Sequence, residues 1–421
     1  MRPSLPKKKQ PNSGGDHPIF GERIRRVNDS TEKVPVHLLA LSVGAIVANI
    51  YYVQPLLASM AGTFSVSVTM IGLVAMLTQV GTALGMLVFV PLGDSRDRRA
   101  LLTALLSGAA VALCGVATAK NLVWICVASF AVGMCGAAVH IIVPFAAQLA
   151  PENSRGRVLG TVFSGLLIGI LLARTFSGVV ASFFGWRAVY AIAALAMLGL
   201  MLLLRAKLPK LAPQNSLPWP VLMRSLVDLV RKHAALRESA FLGASLLFVF
   251  SAFWTTLVFL LQTPPYHYGS SMAGLFGLVG AAGALCAPLV GRFADRKGPR
   301  FTILLALVTT LASFLILGAF GKIMAGLVAG VILMDIGVQS GHVANQTRIY
   351  TLDPDARSRL NTVYMFCYFS GGSLGAWFGA ICWAYKGWTA VCALAAGVMV
   401  IALVVFARDF KTRGALLVAD S

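Results

Sequence analysis

Twelve apolar stretches of about twenty residues each run along this chain, separated by short polar loops. They fall near 36–58, 67–91, 100–118, 121–147, 157–183, 186–206, 239–261, 271–293, 301–320, 322–348, 359–384 and 387–407. A helix of that length crosses a hydrocarbon core of ~30 Å, and only helices or closed barrels satisfy their backbone polar groups there. One such stretch can be a buried core helix; twelve in series predict an all-α, polytopic membrane protein. Composition agrees. Charged residues make up 12% of the chain, about half the share of an ordinary soluble protein, and mean hydropathy is +0.80.

The net charge of +20 would suit a nucleic-acid binder if it were gathered on one face. Instead, 30 of the 35 Lys and Arg lie in alternate loops and in the two termini. The opposite loops hold Lys120, Arg187, Lys322 and Lys386, and Arg174 lies inside span 5. This asymmetry predicts cytoplasmic termini, in keeping with an even number of spans, and no nucleic-acid partner. Residues 1–35 are polar and basic without an apolar core, so they read as a flexible cytoplasmic tail rather than a signal peptide. Residues 408–421 read as a second cytoplasmic tail. The seven cysteines all fall in apolar spans without a CxxC pair, which predicts reduced thiols and no metal site.

A longer polar segment, 207–238, divides the spans into a bundle at 36–206 and another at 239–407. Its SLVDLVRKHAALRES stretch suits a helix lying on the membrane surface, or else a plain linker. The two halves repeat. Arg155 and Arg157 recur as Arg357 and Arg359, Gly185-Trp186 as Gly387-Trp388, Gly169 as Gly371 and His140 as His342, all at an offset of 202. Asp94 and Asp295 lie 201 apart. Matches at one offset predict two pseudo-symmetric six-helix bundles in parallel orientation.

GRFADRKGPR at 291–300, after span 8, closely resembles the loop signature of the major facilitator superfamily, and VPLGDSRDRR at 90–99 is its first-half copy. That copy keeps Asp94, Arg98 and Arg99 but has Val90 and Asp97 where the family usually has Gly. NIYYVQPLL (49–57), GLLIGILLARTFSG (165–178) and RSRLNTVYM (357–365) are similar to a bacterial branch of sugar-efflux and drug:proton antiporter-like members. The resemblance spans about 36–407. It implies a monomeric carrier of a small molecule in the bacterial inner membrane, with spans 1, 4, 7 and 10 around a central cavity. It also implies a cytoplasmic gate made of Asp94, Arg98, Arg99, Gly291, Asp295, Arg296, Gly298 and Arg300. Plain topology-fixing charge is the other reading of these residues. Gly165, Gly169 and Gly178 resemble a loose antiporter motif where the halves meet; ordinary small-residue packing is the alternative.

Charges are costly at the bilayer centre and normally face a protein interior or a wet cavity. Asp335 is the one carboxylate placed well inside a span by sequence, and Arg174 the one base. Asp335, Gln339, His342 and Gln346 follow one another at 4, 3 and 4 residues, along one face of span 10. Asp335 either carries a proton or contacts substrate, or is held structurally by a permanent ion pair with Arg174 or an interhelical hydrogen bond; Arg174 is in turn a candidate for substrate-anion binding or coupling. His140 and His342 either relay protons or line the cavity. Asn49, Tyr52, Gln54, Trp254, Gln339, Tyr364 and Tyr368 complete the expected wall. One family feature is absent: SFAVGMCGAAVH in span 4 lacks the arginine often linked to protons there. No GxxxxGK[ST] loop or nucleophile motif is present, so the chain reads as no enzyme and as needing no cofactor. A secondary transporter driven by the proton gradient and working by efflux is expected. Uptake of a sugar or organic acid, and a non-transporting sensor or scaffold, are the alternatives.

Overall fold

A computed structural model describes residues 35–151, 154–209, 219–281 and 298–419, with side chains left undescribed at 94, 219, 355 and 409–419. Among the described residues every long element is a helix, and ten helices are long and apolar enough to cross a membrane. Spans 1 to 6 are Val36–Phe64, Val68–Gly93, Arg98–Ala117, Leu122–Leu149, Arg155–Phe184 and Trp186–Lys207. Span 7 is Ala234–Gln262, and span 8 begins as the helix Ser270–Ala281. Spans 9 and 10 are Pro299–Phe320 and Met324–Tyr350. Arg357–Arg408 is long enough for spans 11 and 12 and bends at Lys386 and Gly387, where φ and ψ leave the helical region. Span 12 stays helical beyond its expected end at 407, through Ala419.

Local chemistry sets the helix ends. Ser67, Asp97 and Asn121 cap spans 2, 3 and 4, accepting from the backbone N–H of Met70, Arg99 and Trp124. The repeated Gly-Trp pair acts the same way in both halves. Gly185 and Gly387 both have positive φ, which breaks the chain between spans 5 and 6 and between 11 and 12. The indoles that follow tie neighbouring spans together. Trp186 Nε1 donates to Thr63 Oγ1 at 3.0 Å, and Trp388 Nε1 to Leu317 O at 2.8 Å. Large apolar side chains such as Val111, Phe183 and Leu195 stay exposed on the bundle's outside, as lipid contact requires.

The linking helix Trp219–Lys232 is amphipathic, with Leu226 and Leu229 buried and Arg224, Asp228, Arg231 and Lys232 exposed. Residues from Val36 onward form one unit. Span 5 packs on span 1 and span 11 on span 7, the same pairing in each half. Span 2 packs on span 11, and span 5 meets span 8, joining the halves.

Candidate functional site

Arg174 is buried in span 5. Its Nε donates to Gln54 Oε1 at 2.6 Å and its Nη1 to Ile170 O at 3.5 Å. Gln54 is presented by a 3₁₀ turn, Gln54–Leu56, where Pro55 interrupts span 1. The guanidinium lies over three aromatic rings, 4.0 Å from the centroid of Trp254, 4.9 Å from Tyr51 and 5.4 Å from Phe250. Arg174 therefore belongs to one half and rests on Phe250 and Trp254 of the other.

Asp335 is buried in span 10. It forms no hydrogen bond or ion pair with a described residue, and its Oδ2 is among the buried atoms without a partner. Gly280 of span 8 makes room for it. A Cβ there would stand 2.9 Å from Asp335 Oδ2 and 3.1 Å from Trp254 Cζ2. The opposite charge acting on Asp335 is Arg174, without direct contact. A direct ion pair between Asp335 and Arg174 is thus not the arrangement seen: Gln54 and the aromatic cluster hold Arg174.

A cavity of about 660 Å³ lies beside this cluster. His140, His342, Tyr51, Gln339, Gln346 and Tyr368 give it polar and aromatic walls. His342 Nδ1 is 3.1 Å from Tyr364 Oη, and its ring centroid is 4.4 Å from that of Tyr368. Tyr364 thus stands behind the wall and orients His342. His140, the repeat partner, makes no side-chain hydrogen bond with a described residue; Val162 occupies the position that Tyr364 holds in the other half. Asn49 is buried in span 1, and its Oδ1 meets no described partner. Gln54 and Trp254 belong to the Arg174 cluster rather than to the wall. Tyr52, expected in the wall, packs instead against Phe176 at 5.7 Å between centroids. Successive residues on a helix point about 100° apart, so Tyr51 takes the cavity side.

The cavity reaches one end of the bundle, where Arg98, Arg357 and Ser358 line it. At the other end the halves are in contact. Ser59 and Ser270 hydroxyls are 3.1 Å apart, and Thr175 Oγ1 donates to Gly274 O at 3.0 Å. Gln79 Nε2 donates to Ser251 Oγ at 3.0 Å, from span 2 to span 7. Gln79 went unremarked in the sequence, although a lone amide midway along apolar span 2 was the available signal. Of the gate residues, Arg98 is buried, with Nε on Gly93 O at 2.8 Å, and Arg99 N is capped by Asp97. Gly298 caps span 9 with φ +85°, and Arg300 lies 3.7 Å from Glu238. The Asp94 side chain and Gly291, Asp295 and Arg296 lie outside the described residues.

The family model described as Major Facilitator Superfamily matches residues 39–376 and 275–416. The chain belongs to this superfamily. It is 38% identical to the uncharacterized transporter YgaY of Escherichia coli O157:H7, over 93% of this chain and all of that one. It is 33% identical to the "Probable transporter SCO4007" of Streptomyces coelicolor, over 86% of this chain and 85% of that one. A "Probable sugar efflux transporter" of Helicobacter pylori strain P12 is 25% identical over 63% of each chain. Among solved structures, a bacterial homologue of the lysosomal transporter Spinster aligns with a TM-score of 0.71 at 14% identity, covering 90% and 96%. The nucleoside transporter NupG aligns with a TM-score of 0.72 at 14% identity, covering 89% and 99%. The protein is thus a multi-pass membrane transporter with the twelve-span fold of this superfamily, not an enzyme.

Two features of this facilitator escaped the sequence reading. Glu238 was counted with the polar linker, but span 7 begins at Ala234 and buries it. It pairs with Arg348 at the end of span 10. The glycine stripe of span 5 also divides differently. Gly165 and Gly169 pack on Ala40 and Gly44 of span 1, in the same half, and only Gly178 meets Ser270 and Gly274 of the other half.

Proposed function

We propose that this facilitator exports a small polar or amphipathic organic molecule by exchange with protons, with Asp335 as the proton carrier. The observation that carries the reading is the position of Asp335. It is a buried carboxylate without a described partner, separated from Arg174, which Gln54 and Trp254 hold. A carboxylate there can exist neutral, leaving Arg174 on the Trp254 ring, or ionised, drawing the guanidinium toward it. Arg174 and Trp254 belong to different halves, so that choice acts on the contact across which the halves rock.

The charge pattern of the loops supports a cytoplasmic position, in an inner membrane, for the open end with Arg98 and Arg357. The cavity is then inward-facing. Substrate would enter among Tyr51, His140, Gln339, His342 and Tyr368, where aromatic faces and a few polar groups suit such a molecule. The name of the Helicobacter pylori relative supports efflux of a hydroxylated substrate.

Proteoliposomes with an imposed pH gradient test the reading across a panel of sugars, sugar alcohols and amphipathic cations. The wild type is expected to accumulate a substrate against its gradient. Asp335→Asn is expected to keep substrate exchange and lose gradient-driven accumulation. Full accumulation by this variant would remove Asp335 from coupling.

A further inference from the structure

A second cavity, of about 620 Å³, lies on the outside of the second half. It shares no residue with the central cavity. The close backbone packing of Gly371 on Ala244, and of Gly375 on Phe248, separates the two along spans 7 and 11. Its walls are apolar, with Phe241, Phe248, Phe366, Leu374, Val398 and Ile401 among them. Phe241, Leu374 and Ile401 are also exposed at its rim. A crevice on that face of a membrane-spanning bundle opens to lipid, so its occupant is drawn from the bilayer.

One end of the crevice is cationic. Arg237 lines it, and its Nη1 donates to Val230 O and Arg231 O at 2.8 and 3.0 Å. This holds the guanidinium against the last turn of the linking helix, whose Arg231 and Lys232 are exposed. The nearby carboxylates offset these three charges only in part. Glu238 turns inward to Arg348, and exposed Asp228 forms no ion pair with a described residue. The linking helix also exposes Val221 and Val227 while burying Leu226 and Leu229, as suits an element at the membrane surface.

We infer that this crevice is a binding site for an anionic phospholipid. One acyl chain lies between spans 7, 11 and 12, and the phosphate is held by Arg237, Arg231 and Lys232. The volume falls within the range of roughly 300–1,000 Å³ typical of small-molecule sites. The greasy wall and the three cations match the two ends of such a lipid. A neutral or zwitterionic lipid would fill the wall but leave the cations without a net negative partner. Because Arg237 also caps the linking helix, the bound lipid would fasten that helix to the second half.

Native mass spectrometry of the full chain in detergent tests the site with phosphatidylglycerol and phosphatidylcholine of identical acyl chains. The expected result is one phosphatidylglycerol retained under activation that strips phosphatidylcholine, with a raised Tm. The double variant Arg231→Gln/Lys232→Gln leaves the Arg237 cap in place. It should bind phosphatidylglycerol roughly fivefold more weakly for each cation removed, with the lipid-free Tm unchanged. Ser370→Phe, which fills the crevice from span 11, should abolish retention. Equal retention of both lipids, or undiminished phosphatidylglycerol binding in either variant, would overturn the assignment and leave ordinary boundary lipid.

Discussion

Arg174 rests with its Cζ 4.0 Å from the centre of the Trp254 ring, a contact between spans 5 and 7 and so between the two halves of the bundle. Gly280 lies close to both Asp335 and that ring: a Cβ there would stand 2.9 Å from Asp335 Oδ2 and 3.1 Å from Trp254 Cζ2. The indole therefore holds Arg174 and shares the space over Gly280 with Asp335. A desolvated cation–π contact contributes about 2 kcal/mol, enough to compete with attraction to a carboxylate. Trp254→Leu removes this hold and should let Arg174 close on Asp335. Gradient-driven transport is expected to fall tenfold or more, against a smaller loss in Trp254→Phe, since about 1.4 kcal/mol is a factor of ten. Rate measurements in proteoliposomes that put the two variants level would remove the ring from the coupling path.

The closed end of the bundle gives a second prediction. Ser59 and Ser270 approach to 3.1 Å between hydroxyls, from span 1 to span 8. Cysteines at these positions would carry their thiols where the two hydroxyls meet, so oxidation can join them as a disulfide across the closed end. Oxidised Ser59→Cys/Ser270→Cys protein should stop transporting and recover on reduction. Either single variant should transport normally under oxidant. Continued turnover by the cross-linked double variant would mean that this contact persists through the cycle.

The spans and their repeat were legible because a hydrocarbon core imposes one length on every crossing, and duplication preserves spacing. Asp335 and Arg174 stood out for a related reason: an ionisable group in such a span is rare. Which atoms they meet was not legible. Which of the adjacent tyrosines lines the cavity depends on the phase of the helix that ends at Tyr51, and tertiary packing rather than residue type lays Arg174 on Trp254. Glu238 was hidden because a helix that starts a few residues early, at Ala234, turns a polar-linker residue into a buried one. Gly165 and Gly169 marked a close approach correctly, but small residues carry no mark of which helix comes close.

That glycine contact is the basis of a third prediction. A side chain at Gly169 would run into the backbone of Gly44, and only small residues let two helices in lipid approach this closely. Gly169→Leu should lower the Tm in detergent and reduce the yield of folded protein. Gly169→Ala should do the same to a lesser degree. Gly199→Leu, at a position with open space around its Cβ, serves as the control and should be neutral. Equal Tm values for Gly169→Leu and Gly199→Leu would mean that span 1 yields freely.

Glu238 supplies the last prediction. It joins the start of span 7 to the end of span 10 through Arg348, and Arg300 of span 9 lies 3.7 Å from its other oxygen. Breaking a buried pair by removing one partner leaves a charge uncompensated, at a cost of about 3–5 kcal/mol. Glu238→Gln should therefore destabilise the second half strongly. Replacing both partners removes the stranded charge, so Glu238→Gln/Arg348→Met should recover much of the loss even though no ion pair remains. Thermal unfolding of the two variants in detergent separates the cases. A double variant no more stable than Glu238→Gln would locate the penalty in lost packing or in Arg300, and not in the loss of the pair with Arg348.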